Sequence, residues 1–217
     1  MTPAGFSTPL IHRQWLTDTV VELHFSRPDG FRFEPGQRLR ICHDALERDY
    51  SLASAPGDPE LRLLVRVFPE GRGSTYLSRV ESGQPISFYG PRGYFVYRES
   101  PRTAVFVATG TGVAPFLSMC RTGVSGFICL HGAKDRAGLL HAAVLEKQAT
   151  RYVPCLSSSA DSSSSDFAGR VTDYLGGSLA PGDYDFYLCG HQEMIRDAFQ
   201  IIDERFEQAH VHSEVFY

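Results

Sequence analysis

The spacing of apolar residues changes character near residue 100, and this change constrains the fold more than any single motif. Up to about Phe95, apolar and polar residues swap places in short segments, as in 19–25 (TVVELHF), 37–41 (QRLRI) and 60–67 (ELRLLVRV). A period of two marks a half-buried strand. Turn residues separate the segments: Pro28-Asp29-Gly30, Pro35-Gly36, Pro56-Gly57-Asp58-Pro59 and Ser82-Gly83-Gln84. Several short strands in this rhythm predict a small antiparallel barrel or sandwich, with one short helix over 74–80. After Arg102, apolar strand patterns at 103–108, 126–130, 151–156 and 184–188 alternate with helical patterns at 113–121, 139–148 and 193–206, before a last strand at 211–216. That order predicts βαβ units around a mostly parallel sheet covered on both faces. The reading is thus of two domains, an antiparallel β-barrel over 1–98 and an α/β domain over 99–217. The polar stretch 157–165 (SSSADSSSS) reads as a loop between a strand and the next helix.

Composition narrows the function classes. At 217 residues the chain is long enough for two domains of about 100 residues each. It carries 21 basic and 25 acidic residues, a net charge of −4, which is not the footprint of a nucleic-acid binder. Residues 1–100 hold 12 basic and 12 acidic residues, the remainder 9 and 13. The longest apolar stretch, 104–119, is broken by Gly110, Gly112 and Pro115 and predicts no membrane span. No basic flank precedes an apolar run at the start, so the expectation is a cytoplasmic protein without a signal peptide. The five cysteines (Cys42, Cys120, Cys129, Cys155, Cys189) lack the close spacing of zinc or iron–sulfur ligands and read first as small buried hydrophobes. His210 and His212 alternate on the last strand and read as an exposed pair rather than a metal site, since no third ligand is identifiable.

Three segments have the chemistry of a ligand site. Ala108-Thr109-Gly110-Thr111-Gly112-Val113-Ala114-Pro115 follows the first α/β strand. Its glycines allow a sharp turn and close approach to a ligand, and the next helix offers N–H groups to a phosphate. The same residues also suit a plain strand-to-helix turn. In Arg48-Asp49-Tyr50-Ser51-Leu52-Ala53-Ser54, strand alternation places Arg48, Tyr50, Leu52 and Ser54 on one face and Ser51 on the other. That face offers a cation for a diphosphate and a ring for stacking, or simply a polar outer surface. In Gly71-Arg72-Gly73-Ser74-Thr75, Ser74 reads as the N-cap of the short helix, with or without an anion on the same N–H groups.

The ordered set RDYSLAS, GRGST, GPRGYF, GTGVAP, CGHQEM and the closing SEVFY resembles the ferredoxin–NADP reductase family of flavoproteins. The resemblance runs from Phe33-Glu34-Pro35-Gly36-Gln37 to Tyr217. It implies an FAD-binding antiparallel barrel followed by a nicotinamide-nucleotide-binding α/β domain. Arg48 is then expected to bind the FAD diphosphate, Tyr50 to pack on the isoalloxazine and Ser51 to reach its N5, with Gly73, Ser74 and Thr75 cradling the diphosphate. Gly110, Thr111, Gly112 and Pro115 correspond to the turn facing the nicotinamide nucleotide, and Cys189-Gly190 to the strand end beside the nicotinamide. Glu214 corresponds to a carboxylate near the reacting centre, and Phe216 or Tyr217 to an aromatic covering the flavin.

Members that use NADP tend to carry Ser-Arg after the third α/β strand; here the segment is Leu156-Ser157-Ser158-Ser159. The missing arginine favours NADH, with Ser157 beside the nucleotide and Arg170 as the remaining cation. The resemblance implies a flavoenzyme that oxidises NAD(P)H, placing nicotinamide C4 against flavin N5 with water kept out. Its acceptor is expected to be a small acidic iron–sulfur carrier such as a ferredoxin, or an oxygenase component, with Arg38, Arg40, Arg62, Arg66 and Arg72 available for docking or forming an ordinary solvated face. A free-flavin or quinone reductase, or a non-catalytic flavin and nucleotide sensor, is the alternative.

Overall fold

The computed structural model describes residues 5–44, 46–158 and 166–216; Tyr217 and residues 159–165 of the serine-rich stretch lie outside the described residues. Contacts divide the chain into two units, one of Met1–Tyr97 with Ala114–Thr122, the other of Arg98–Val113 with Gly123–Tyr217.

The first unit holds strands β1 (Gly5–Thr17), β2 (Val20–Ser26), β3 (Arg38–His43), β4 (Leu46–Ser51), β5 (Glu60–Arg66) and β6 (Pro85–Arg92), and helix α1 (Arg72–Arg79). They form one sheet in the order β4-β3-β6-β1-β2-β5 with every neighbouring pair antiparallel. A bridge from Leu52 to Leu63 links the chain leaving β4 to β5, so the two edges of the sheet meet and the barrel closes. Alternation turns Leu23, Phe25, Leu39, Ile41, Leu61 and Phe88 inward to a common core. β1 pairs with β6 through Gly5–Pro9 and with β2 through Leu10–Thr17, and its register shifts between Leu10 and His12 and between Trp15 and Thr17. Bulges of this kind break the period of two, which is why the sequence pattern did not disclose this strand.

The second unit is a six-stranded parallel sheet of β7 (Thr103–Thr109), β8 (Ile128–Ala133), β9 (Arg151–Leu156), β10 (Phe167–Ala168), β11 (Tyr184–His191) and β12 (His210–Phe216), ordered β10-β9-β8-β7-β11-β12. Helices α3 (Ala142–Gln148), α4 (Val171–Gly177) and α5 (Gln192–Arg205) accompany it. Val105, Val107, Leu130, Val153, Phe186 and Leu188 form one sheet face that packs on Leu175, Ile195, Ala198 and Ile202 of α4 and α5. Helix α2 (Ala114–Arg121), although it follows β7, clusters with the barrel unit. There the Ser118 hydroxyl donates to the Ser54 carbonyl at 2.6 Å, and the Phe116 ring lies 5.7 Å from Phe95. His212 is half-buried rather than exposed, because its ring stacks on Tyr187 at 4.7 Å; His210 lies 3.1 Å from the buried Asp185 carboxylate. Among the described residues, no helix is long and apolar enough to cross a membrane.

β2 buries two ionisable groups, Glu22 and His24. His24 Nδ1 lies 2.9 Å from the Glu60 carboxylate and its Nε2 3.6 Å from that of Glu22. Burial by itself lowers the imidazole pKa, but the hydrogen bonds to Glu22 and Glu60 outweigh it, and the net shift is upward from 6.5. A raised folded-state pKa stabilises the fold below the unfolded pKa and loses that contribution as pH climbs through the folded value. The melting temperature gap between the wild-type protein and His24→Gln is therefore expected to shrink as pH rises from about one unit below to about two units above 6.5. A gap independent of pH across that window would contradict the role given to this imidazolium.

Candidate functional site

In the first unit, the start of α1 meets the middle of β4. The N-cap of α1 is Gly71, not Ser74: Thr75 N–H already bonds the Gly71 carbonyl at 2.8 Å, so the helix begins earlier than the Ser74 signal implied. Ser74 instead sits inside the first turn, where its hydroxyl donates to the Gly71 carbonyl at 3.0 Å and accepts the Phe68 N–H at 3.2 Å. Gly73 packs on β4: a Cβ built there would lie 3.2 Å from Arg48 Cγ and 3.7 Å from the Tyr50 hydroxyl. Arg48, Tyr50 and the Gly73-Ser74-Thr75 turn, read separately from the sequence, are thus brought together. The first N–H groups of a helix have no partner within it and carry its positive end. The stem of the exposed Arg48 packs on this turn, and its guanidinium donates to the Glu47 carbonyl at 2.8 Å. Burial pushes the Tyr50 phenol up to about 12, offset in part by the charge of Arg48, so the ring is neutral at physiological pH. The Thr75 hydroxyl reaches the Phe68 carbonyl at 3.3 Å.

The expected open face of Arg48, Tyr50, Leu52 and Ser54 is shorter than alternation suggests. β4 ends at Ser51, which is buried, and Leu52, Ala53 and Ser54 turn into the interior at 0%, 1% and 0% exposure. The bridge to Leu63 and the Ala53 N–H bond to the Arg62 carbonyl at 2.9 Å draw the chain inward.

In the second unit, the glycine turn after β7 is a short 3₁₀ segment, Gly110–Val113, followed by Pro115 near the start of α2. Gly112 packs on the end of β11: a Cβ there would lie 2.3 Å from the Cys189 carbonyl oxygen and 2.7 Å from Gly190 Cα. Gly190 has φ +144°, and a Cβ on it would meet Thr109 Oγ1 at 2.2 Å. The same Thr109 hydroxyl accepts the His191 N–H at 3.3 Å. Gly110, Thr111, Gly112, Cys189 and Gly190 are therefore one structural feature at the carboxyl ends of the two central strands, the edge at which open α/β sheets bind ligands. Cys189 pairs in register with Ala108 on one side and Glu214 on the other, and Cys189 and Glu214 are both buried. Phe216 pairs with His191; Tyr217 lies outside the described residues. Ser157, exposed after β9, and Arg170, exposed at the N-cap of α4, stand on neighbouring segments, since Ala168 pairs with Leu156 and the Gly169 N–H bonds the Leu156 carbonyl at 2.9 Å.

Sequence reasoning gave no role to Thr109 and overlooked His131. Thr109 was legible as the residue between an apolar strand and a glycine turn. His131 had no local signal: it is wholly buried beside Ala108, its Nδ1 is 2.9 Å from the Tyr152 hydroxyl, and burial pulls its pKa down to about 4.

Residues 8–97 match the oxidoreductase FAD-binding domain family and residues 106–200 the oxidoreductase NAD-binding domain family. The chain belongs to the ferredoxin reductase-like FAD flavoproteins. Relatives of this flavoprotein include ferredoxin–NADP reductase B of Sorangium cellulosum, 40% identical over 134 residues that cover 58% of this chain and 55% of the relative. The toluate 1,2-dioxygenase electron transfer component of Pseudomonas putida is 31% identical over 214 residues, covering 92% of this chain and 63% of its own. The anthranilate 1,2-dioxygenase electron transfer component of Acinetobacter baylyi is 30% identical, covering 93% and 64%. The flavoprotein thus spans between 55% and 64% of the length of these relatives. A crystal structure of a ferredoxin NADP⁺ reductase from Neisseria gonorrhoeae with bound FAD and NADP shares the fold, with a TM-score of 0.83 at 22% identity over 96% of this chain and 98% of that one.

The contact at Gly112 is with backbone, which cannot rotate aside. Gly112→Ala is expected to destabilise the flavoprotein by about 1–3 kcal/mol in denaturant unfolding, the usual cost of forcing atoms into filled space. Gly177→Ala, where a Cβ meets nothing within 4 Å, is expected to stay within about 0.5 kcal/mol of wild type. Equal unfolding midpoints for the two variants would show that the turn does not press on the end of β11.

Proposed function

We propose that this flavoprotein is an FAD-dependent oxidoreductase that takes a hydride from NAD(P)H and passes electrons to a ferredoxin, another iron–sulfur protein or an oxygenase component. The observation that carries the reading is the packing of Arg48 and Tyr50 against Gly73 at the start of α1, beside the first N–H groups of the helix. That set fits FAD: the helix start suits a diphosphate and the Tyr50 ring a flat heterocycle. When bound, FAD supplies the ability to accept electrons in a pair and release them singly. The chain's own residues bind and orient. Arg48, Gly73, Ser74 and Thr75 hold the diphosphate, Tyr50 packs on the isoalloxazine, and Ser51 directs its hydroxyl to N5.

The turn of Gly110, Thr111, Gly112 and Pro115 receives the nicotinamide nucleotide, with Cys189 and Gly190 shaping the nicotinamide subsite. Glu214, in register with Cys189, places a carboxylate at the same strand end. Ser157 and Arg170 receive the adenosine end. The absence of arginine at Ser157-Ser158 supports NADH as the preferred donor, since a 2′-phosphate there lacks its charge-assisted partner.

Partner choice is supported by the relatives, two of which are named as electron transfer components of dioxygenases. The positive charge available to an acidic carrier is smaller than the sequence suggested. Asp49 engages Arg38 at 3.1 Å and Arg40 at 2.7 Å, and Glu47 lies 3.4 Å from Arg40.

Steady-state reduction of ferricyanide by the FAD-loaded protein tests the proposal. Turnover is expected with both nucleotides, at a higher kcat/KM with NADH than with NADPH. Negligible turnover with either would overturn the reductase reading, and a preference for NADPH would overturn the assignment at Ser157.

A further inference from the structure

Helix α2 is enclosed on nearly every side, since all of its residues but Arg121 are buried. Most of what holds it is apolar: Phe116 lies 5.7 Å from Phe95, and the Met119 methyl sits 2.8 Å from where a Cβ on Gly36 would be. Ser118 is different in kind. A serine hydroxyl inside a helix has a local acceptor in the carbonyl four residues earlier. Ser118 instead donates to the Ser54 carbonyl, 64 positions away in the chain, at 2.6 Å. A hydroxyl has one proton to donate, so this bond takes it. Both residues are wholly buried.

Ser54 is itself a fixed point. It ends the short segment that leaves β4 after Ser51, and three hydrogen bonds tie that segment down. The Leu52 N–H donates to the Gln37 carbonyl at 3.0 Å, the Ala53 N–H to the Arg62 carbonyl at 2.9 Å, and the Arg62 N–H to the Ser54 hydroxyl at 3.2 Å. Apolar packing tolerates small slides of a helix, whereas a buried hydrogen bond between fixed partners specifies one position. At its other end α2 continues directly from Gly110–Val113, the turn assigned above to the nicotinamide nucleotide. Ser118 lies four residues past Ala114, about 6 Å along the helix axis. The turn belongs to the second unit and α2 to the first. Within about one helical turn of leaving the nucleotide turn, the chain is thus bound to the strand end that the functional reading assigns to the flavin. We infer that Ser118 is a positioning residue for hydride transfer, its bond to Ser54 fixing the helix on which the nucleotide turn ends. The inference rests on the function proposed above and adds a residue that acts through the helix rather than on the substrate.

Ser118→Ala and a control, Thr122→Val, test it in the FAD-loaded protein. The Thr122 hydroxyl bonds carbonyls of α2 itself, Met119 at 2.7 Å and Ser118 at 3.3 Å. Rapid mixing with NADH without oxygen gives the rate of flavin bleaching at saturating nucleotide. A misplacement of about 1 Å can cost on the order of a hundredfold, and Ser118→Ala is expected to bleach about 10- to 100-fold more slowly than wild type. Its affinity for FAD and its KM for NADH are expected to stay within about twofold of wild type, the pattern of a contact that counts only in the transition state. A non-reducing NADH analogue supplies a readout independent of turnover. The charge-transfer absorbance of nicotinamide stacked on flavin is expected to weaken in Ser118→Ala at saturating analogue. Thr122→Val should match wild type in both measurements. Wild-type bleaching and absorbance in Ser118→Ala would overturn the inference, and so would equal slowing by Thr122→Val, since any disturbance of the helix would then suffice. Loss of FAD binding in Ser118→Ala would overturn it as well, because the bond would then be a requirement of the fold. A wild-type protein whose bound FAD is not bleached by NADH would instead overturn the reductase reading itself.

Discussion

At the carboxyl edge of the parallel sheet, two backbone segments approach more closely than any side chain permits, and the arrangement of the second unit's candidate site depends on that approach. Gly112 lies against the Cys189 carbonyl and Gly190 against the Thr109 hydroxyl, each at a separation a Cβ cannot tolerate. The His191 N–H bond to Thr109 fastens the same two strand ends. Because β7 and β11 are hydrogen-bonded neighbours at the centre of the sheet, the turn after one is held directly on the end of the other. Cys189 and Glu214 follow from that placement, since strand register sets them side by side. The first unit uses the same device at Gly36, where a Cβ would lie 1.8 Å from the Phe95 carbonyl oxygen, and a looser form of it at Gly73, where the start of α1 settles onto the Arg48 and Tyr50 side chains.

The α/β half was largely legible in the sequence because its signals are local. The 151–156 strand coincides with β9, and the long helix expected over 193–206 is α5, Gln192–Arg205. Continuous apolar runs punctuated by glycine leave few alternatives for a buried parallel strand. The barrel was less legible. β1 is interrupted by two register shifts, and β6 begins at Pro85 and shows only partial alternation of burial. The site motifs were visible because glycines and an Arg-Tyr pair are unusual in ordered context. What the sequence lacked was tertiary: Leu52 turns inward to close the barrel, the capping role passes from Ser74 to Gly71, and α2 clusters with a unit other than that of the strand preceding it. None of these is set by residues adjacent in the chain.

Several ionisable groups of the chain are held in one state by their surroundings. The Tyr50 phenol is neutral, Asp49 is held below its usual range against the pull of burial by Arg40 and Arg38, and burial keeps the Cys120 and Cys155 thiols up at about 12. His131 is held neutral in the interior. In the proposed function the chain contributes position, charge for phosphates and flat surfaces for rings, which is the share of the work a protein takes when a cofactor carries the redox chemistry.

Anaerobic addition of NADH to the FAD-reconstituted protein, watched through the visible absorbance of the oxidised flavin, bears most directly on this account. The yellow band is predicted to persist through gel filtration and to bleach on adding NADH. A protein that elutes colourless after incubation with FAD, or a band that NADH leaves unchanged, would contradict it.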